Sequence, residues 1–243
     1  MMNSKNTSKE PIILAIETAT EACSAALAMG EKIITRFAIA PREHSKLILT
    51  MMDEVLKEAG VKLTQLDAVA FGRGPGAFTG LRIATGVAHG VSLAIDKPLL
   101  PISTLAAIAQ QMQQQQEAKY CIAAIDARMG EVYWGKYRTK NGFMLLQDKE
   151  IVTSPELLFS TLTANKETLC TAAGSGWDAY AQQLKLAHYP HIIKINNILP
   201  SAHYIAQLAV EDWKQGKAVA VEQAQPIYLR DKIAQTITER NAT

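Results

Sequence analysis

The chain has 243 residues, is 48% apolar and 20% charged, and carries a formal net charge of +2. This balance is typical of a globular protein of one large or two ordinary domains, and it shows no strong electrostatic footprint for nucleic acid. Three cysteines, in apolar or small-residue contexts, allow no disulfide framework or zinc spacing, which favours a cytoplasmic location. The longest apolar stretch contains charged residues, among them Arg82 and Asp96, which excludes an ordinary membrane span.

The first part of the chain predicts three strands after a polar, flexible tail at 1–9. The run from Ile12 to Glu17 is apolar throughout and should be a central strand. Ser24 to Ala28 and Lys32 to Ile39 follow it, separated by a short turn. The pattern therefore predicts a three-stranded antiparallel meander.

The next segment predicts an amphipathic helix, with Ser45 as N-cap and Gly60 as the stop. Large apolar side chains each contribute about 1.5–3 kcal/mol when buried, so its apolar face must be covered. Either the chain's own sheet or a partner protein could cover it, and paired methionines suit an adaptable surface. The face consists of Leu47, Ile48, Met51, Met52, Val55, Leu56 and Ala59.

A glycine-rich segment, Gly72 to Gly80, follows a strand predicted at 66–71. It lacks the Gly-Lys-Ser/Thr end of a phosphate-binding loop. The residues themselves indicate a strand-to-helix turn that packs closely on a neighbour, because glycine and proline favour such turns.

A helix of small residues is predicted behind that turn, ending near Ile95. Helix positions four apart share a face, and glycine in a helix interior costs about 1 kcal/mol relative to alanine. Something large should therefore lie against this helix. The small residues spaced in this way are Gly80, Ala84 and Ala88, and separately Gly86 and Gly90.

A strand at 99–102 and a helix capped by Ser103 lead into a glutamine-rich stretch at 110–116. This polar, low-complexity stretch is the predicted domain boundary. The predicted division is an N-terminal domain at 10–112, a C-terminal domain at 113–232 and a flexible tail at 233–243.

An internal repeat relates the two halves. Ile13 to Glu17 matches Ile122 to Asp126 at an offset of 109 residues, and both runs end in an acid. In a duplicated ATPase such acids can hold magnesium beside a phosphate-binding hairpin. The turn after Glu17 lacks the glycines that would cradle a phosphate, so both acids are weak cofactor candidates and a structural remnant is favoured.

The second half predicts further strands and helices and ends in a docking segment at 226–230. Strands are predicted at 131–137, within 144–152, at 168–173 and at 192–195, and helices at 155–162, from Gly174 to about Ala187, and from Ser201 to a stop at Gly216.

No residue pattern indicates catalysis. Two histidines never occur at the i, i+4 spacing of a helical metal site, and no serine lies in a nucleophile-elbow context. We expect no cofactor and no metal. Arg73, Arg82 and Arg128 are candidates for RNA contact, although ion-paired surface is the alternative that we favour.

Five segments, in chain order, resemble the TsaB (YeaZ) family of bacterial subunits for tRNA threonylcarbamoyladenosine biosynthesis, and the resemblance spans 12–230. Many members of that family have aspartate where this chain has Glu17, which further weakens a nucleotide role. The segments are Ile13 to Thr20, Arg42 to Ser45, Gly72 to Ile83, Ile125 to Tyr133 and Pro226 to Arg230.

The resemblance implies an α/β, actin-like (ASKHA) fold with two duplicated ribonuclease-H-like domains, each with a mixed sheet and flanking helices. It implies a non-catalytic scaffold that dimerises with TsaD, is joined by TsaE, and acts on tRNA indirectly, with direct tRNA contact left open. TsaD, the catalytic paralogue, carries a His-x-x-x-His metal motif where this chain has Thr104 and Ile108. A homodimer of the isolated chain is also possible.

The alternatives are a stand-alone ATP-dependent phosphotransferase of the same fold and, last, a metallopeptidase, the older label of the family. The helices at 45–59 and 79–95 are expected to bind the partner. The residues assigned to this role are Leu47, Ile48, Met51, Met52, Val55, Gly80, Ile83, Ala84, Val87, Ala88 and Val91.

Overall fold

Two mixed sheets of the same plan form the centre of the protein. The computed structural model describes residues 10–163, 169–180, 183 and 189–230. The first sheet has the order β3-β2-β1-β4-β5, with β1 antiparallel to β2 and parallel to β4. The predicted meander and the central first strand are confirmed. The strands are β1 (Ile12–Glu17), β2 (Ala22–Met29), β3 (Lys32–Ile39), β4 (Ala68–Gly72) and β5 (Leu99–Ile102).

The second sheet repeats this plan, in the order β8-β7-β6-β10-β11, with β9 paired to β7. Its central strand β6 is antiparallel to β7 and parallel to β10, as β1 is to β2 and β4. The duplicated fold and the repeat are confirmed. The strands are β6 (Tyr120–Arg128), β7 (Glu131–Lys140), β8 (Phe143–Leu146), β9 (Ile151–Thr153), β10 (Cys170–Ala173) and β11 (Ile192–Ile195).

Six α-helices surround the sheets within the described residues, and two of their ends differ from the prediction. The first helix begins at His44, whose Nε2 lies 2.8 Å from the Thr20 carbonyl oxygen, and Ser45 is not its cap. The helix predicted to reach Ala187 ends at Ala179, and most of the remainder lies outside the described residues. The helices are α1 (His44–Ala59), α2 (Phe78–Ile95), α3 (Thr104–Gln116), α4 (Pro155–Thr163), α5 (Ser175–Ala179) and α6 (Ala202–Lys214).

The glutamine-rich stretch is helical and does not form a linker. Helix α3 extends to Gln116, so the predicted boundary at residue 112 falls inside it. The buried Gln110 side chain accepts a hydrogen bond from the Met144 backbone N–H (2.9 Å) and donates one to the Gly142 carbonyl oxygen (3.0 Å). These bonds fix α3 to the hairpin between β7 and β8 of the second sheet.

Helices α3 and α6 each pack on the sheet of the other half. Helix α3 contributes to the core of the second sheet, whereas Ile205 and Ala209 of α6 pack against Ile13 and Ala15 of β1. The Ala202 backbone N–H also donates to the Ser24 hydroxyl of β2 (2.9 Å). Helix α6, which begins at residue 202, therefore packs on the first sheet. The prediction had placed it in the C-terminal domain at 113–232.

The segment at 226–230, predicted to dock, lies beside the glycine-rich turn, a position that the sequence did not indicate. The Ile227 backbone N–H donates to the Arg73 carbonyl oxygen (2.8 Å). The Arg230 guanidinium donates to the Arg128 carbonyl oxygen (3.3 Å) and pairs with the Glu131 carboxylate. The predicted tails at 1–9 and 233–243 lie outside the described residues.

The buried Glu17 carboxylate at the end of β1 joins three elements. It accepts hydrogen bonds from the Ala19 backbone N–H (2.6 Å) and from the Thr104 hydroxyl at the start of α3 (3.1 Å). A Cβ at Gly72, the last residue of β4, would overlap this carboxylate. Burial raises the pKa of Glu17 from 4.5 to about 7, although the two hydrogen bonds act in the opposite direction.

We expect Glu17→Gln to remove a pH dependence of stability. Because the folded carboxyl has the higher pKa, its contribution is fully present below about pH 4.5 and is lost as the pH rises through about 7. The loss should be on the order of 2–3 kcal/mol in the native protein. Urea unfolding at about pH 5 and pH 8 measures it.

The control is Glu31→Gln, which removes an exposed carboxyl at the turn between β2 and β3. It should leave the pH dependence unchanged. If Glu17→Gln lowered the free energy of unfolding equally at both pH values, a titrating Glu17 would be excluded.

Candidate partner-binding site

The glycine-rich turn is packed against the loop between β1 and β2. The Ala77 backbone N–H donates to the Ala19 carbonyl oxygen (2.7 Å), and the Thr18 hydroxyl donates to the Gly80 carbonyl oxygen (2.8 Å). A Cβ at Gly80 would overlap the Thr18 carbonyl, and one at Gly76 would lie 2.5 Å from the Ala19 carbonyl oxygen. These glycines therefore allow backbone to approach backbone, and the turn is filled by the chain itself.

A cleft of about 520 Å³ lies between the loops of the two sheets, lined by residues that include Glu21, Arg42 and Asp126. Glu17 is sealed beneath the glycine-rich turn and does not line it. Asp126 accepts hydrogen bonds from the Arg128 backbone N–H (2.9 Å) and the Tyr180 hydroxyl (3.2 Å), and it pairs with the Arg128 guanidinium (2.9 Å). These acids do not fit a shared magnesium–nucleotide site.

The positions that correspond to the histidines of TsaD have structural roles. Thr104 bonds Glu17, and Ile108 is buried in the core of the second sheet. Within the described ranges, no group of three or more His, Cys, Asp or Glu side chains is placed to hold a metal ion.

Each of the three arginines considered for RNA contact lies against another side chain, and two of them face a carboxylate. Arg82 lies 3.9 Å from the centre of the Phe78 ring, and Arg128 pairs with Asp126. Arg73 lies 3.7 Å from the Glu150 carboxylate, whose side chain is only 5% exposed. The alternative of ion-paired surface therefore describes Arg73 and Arg128.

Glu150 also accepts hydrogen bonds from the Ser103 hydroxyl and the Tyr137 hydroxyl (2.5 Å). Burial, followed by the charge of Glu150, raises the pKa of Tyr137 well above its usual value. The Tyr137 hydroxyl is thus held protonated as a hydrogen-bond donor. Through Arg73 and Glu150, this cluster ties the glycine-rich turn to the second sheet.

Most residues assigned from sequence to partner binding point into the protein's own core. They pack with Leu14, Val69 and Phe71 of the first sheet, so these side chains are unavailable to a partner in the folded chain. The sheet therefore covers most of the apolar face of α1. The buried members are Ile48, Met51, Met52, Val55, Gly80, Ala84 and Ala88, and the half-buried ones are Leu47, Ile83, Val87 and Val91.

The other side of α2 is apolar and open. Val87 and Val91 lie at its edge, Gly86 and Gly90 are exposed, and Leu93 is 66% exposed. On neighbouring α1, Leu49 is 58% exposed. We call this surface the α2 face: Leu49 together with Ile83, Gly86, Val87, Gly90, Val91, Leu93 and Ala94. The sequence could have identified Leu93 as a member of this face, because it lies three residues after Gly90 and seven after Gly86.

The small residues of α2 have two different environments. A Cβ at Gly80 would overlap the Thr18 backbone, whereas a Cβ at Gly86 or Gly90 would meet nothing within 4 Å. Glycine at the last two positions costs helix stability, about 1 kcal/mol each, and nothing in the described chain requires it. The sequence predicted that something large lies against this helix. Among the described residues, the chain itself supplies such a neighbour at Gly80 but not at Gly86 or Gly90.

Helix α2 is the one described helix that is long and apolar enough to cross a membrane by length and composition, although Arg82 lies within it, and 33% of its residues are buried in the protein. The remaining surface is rich in small and apolar residues, a composition that lets another helix approach closely. The buried third anchors α2 in the core of the first sheet.

Comparisons of the sequence with protein families and with individual proteins point to the same family. The family model described as "TsaD: tRNA N6-adenosine threonylcarbamoyltransferase" matches residues 36–238. The Escherichia coli (strain K12) "tRNA threonylcarbamoyladenosine biosynthesis protein TsaB" is 40% identical over 91% of this chain and 96% of the relative. The Haemophilus influenzae protein of the same name is 39% identical over 91% of this chain and 94% of the relative.

Solved structures agree. "YeaZ from Pseudomonas aeruginosa" superposes with a TM-score of 0.78 and 38% identity, covering 90% of this chain and all of that one. A second structure, described as an uncharacterized protein with similarity to peptidase YEAZ from Pseudomonas aeruginosa, gives a TM-score of 0.83 and 41% identity, with the same coverage. The chain belongs to the TsaB (YeaZ) family of tRNA threonylcarbamoyladenosine biosynthesis proteins.

Proposed function

We propose that this chain is a cytoplasmic, non-catalytic subunit that binds TsaD through the α2 face and supports threonylcarbamoyl transfer to tRNA. The single observation behind this proposal is the pair of exposed helix glycines, Gly86 and Gly90, which face open space. An apolar helix face with two such glycines admits a second helix at short distance. TsaE is proposed to join the assembled pair.

A supporting rather than a chemical role follows from the side chains available. Of the two acids at strand ends, Glu17 is buried and Asp126 is ion-paired. Thr104 and Ile108 occupy the positions at which the family resemblance places the histidines of TsaD. A phosphotransferase of this fold would need a phosphate-binding hairpin after Glu17, and the turn there holds no glycine and packs against the glycine-rich segment. Chemistry is therefore assigned to TsaD.

A second copy of this chain could use the same α2 face. None of the eight residues that define the face is charged, so these residues would not repel their counterparts in a second copy. In this proposal the homodimer and the complex with TsaD are mutually exclusive, because both need Gly86 and Gly90.

We expect Gly86→Ala and Gly90→Ala each to raise the free energy of unfolding of the isolated chain by about 0.5–1 kcal/mol. Alanine is the better helix former, and its methyl group would enter open space. Gly80→Ala is the matched comparison and should destabilise, because its methyl group would overlap the Thr18 carbonyl. Chemical unfolding at low protein concentration, where self-association is minimal, measures all three. Destabilisation by the first two variants would contradict an open face.

Gly90→Trp should abolish co-elution with TsaD on size-exclusion chromatography while leaving circular dichroism near native. The indole would project from an exposed helix position and hold a partner helix away. The control is Gln114→Trp, which adds the same bulk at an exposed position of α3. It should leave complex formation intact. Normal co-elution of the Gly90→Trp variant would overturn the proposed interface.

Threonylcarbamoyl transfer by TsaD with each variant provides the functional readout. Gly90→Trp should reduce tRNA modification in proportion to the lost complex, and Gln114→Trp should not. Full activity of TsaD without this chain would contradict an activating role.

A further inference from the structure

A row of basic side chains lies along β7 of the second sheet, on the face opposite α3. Lys136, Arg138 and Lys140 occupy alternate positions, so all three point to the same side of the strand. Alternate residues are about 7 Å apart, which makes the row about 14 Å long. Gly135 and Tyr137 point the other way and are buried.

The charges of this row are not neutralised by neighbours. In the part of the chain that the structure describes, no carboxylate lies within 4.0 Å of any of the three cationic groups. Two of them lie over aromatic rings: the Lys136 ammonium is 5.8 Å from the Trp134 ring centre, and the Arg138 guanidinium is 5.5 Å from that of Tyr120. These contacts position the cations and leave their hydrogen-bond donors free for an anion.

The surface beside the row is shallow and extended. Arg138 and Lys140 border a depression of about 450 Å³ whose other lining residues are Thr139, Leu145 and Gln147. Lys136 and Lys149 border a second depression of about 210 Å³. Asp148 is the one acid among the residues lining these two depressions.

Four cations and one acid give this patch a local charge of about +3, which exceeds the net charge of +2 of the whole chain. A row of cations of this length matches an extended polyanion better than a small anion. A nucleic acid strand carries one negative charge per nucleotide, so the three cations of the row could each contact one phosphate.

We propose that this row, Lys136, Arg138 and Lys140, binds the sugar–phosphate backbone of RNA directly. The choice of RNA over another polyanion rests on the proposed function, since the relatives are named for tRNA modification. The row lies on the second sheet, whereas the α2 face belongs to the first, so one chain can bind RNA and a protein partner together. The contact reads charge and not sequence, because phosphates carry no base identity.

The test is binding of fluorescently labelled tRNA to the full-length chain by anisotropy, between about 50 and 200 mM salt. The triple variant Lys136→Ala, Arg138→Ala, Lys140→Ala should bind at least about tenfold more weakly at the lowest salt. Its dependence of log affinity on log salt should be shallower by about 2–3, since each phosphate contact contributes about 0.7–0.9.

The matched control is Lys32→Ala, Lys46→Ala, Lys62→Ala, which removes the same charge from exposed positions around the first sheet. It should keep the native affinity and salt slope. If both triple variants lost the same affinity for tRNA, net charge alone would explain the binding, and the proposal would be overturned. The absence of tRNA binding by the native chain at about 50 mM salt would also overturn it.

A membrane surface is the other polyanion to be distinguished. The native chain is mixed with vesicles of phosphatidylserine and phosphatidylcholine in equal parts. Binding to vesicles but not to tRNA would overturn the assignment to RNA. Gly90→Trp should bind tRNA normally, and the β7 triple variant should still co-elute with TsaD. The RNA proposal and the partner proposal therefore fail independently.

Discussion

The structure depends on close backbone packing above one buried carboxylate. Glu17 ends the central strand of the first sheet, and Gly72 and Thr104 meet it from two other elements. Only glycine leaves room for the Glu17 side chain beneath β4. The same requirement recurs at Gly76 and Gly80, where one loop backbone lies directly on another. The junction therefore combines a desolvated acid with contacts that admit no side chain, and its cost must be met by the surrounding core.

The duplication gives the molecule two similar sheets, but the two halves are not separate bodies. Helix α3 follows the first sheet in the chain and packs on the second, while α6 follows the second and packs on the first. The Arg73–Glu150 pair and the docking of Ile227 on Arg73 add further ties between the halves. A cleft between domains that are joined in this way cannot widen without breaking buried contacts. This arrangement suits a scaffold better than an enzyme that opens around a nucleotide, which is consistent with the proposed function.

The two surfaces proposed for interaction differ in their chemistry. The α2 face is apolar and lined by glycine, so it can admit a helix at short distance. The β7 row is cationic and about 14 Å long, so it can follow a phosphate backbone. They belong to different sheets, and this separation would let one subunit hold a protein partner and RNA at the same time. The contribution proposed for the chain is thus to bring components together.

The sequence alone determined the fold class, the duplication and the family, because these depend on local patterns: apolar strand runs, the matching acids Glu17 and Asp126, and the Gly72–Gly80 segment. It also singled out the two helices on which the proposed interface lies. It could not say which face of each helix is covered. Met51 and Ala84 are suited equally to a core and to an interface, and only the tertiary structure places them against β1 and β4. The basic row was missed for a related reason: net charge averages over the whole chain, whereas ion pairing decides which cations remain available. Arg128 pairs with Asp126, whereas no carboxylate among the described residues pairs with Arg138, and that difference arises from the arrangement of strands in space.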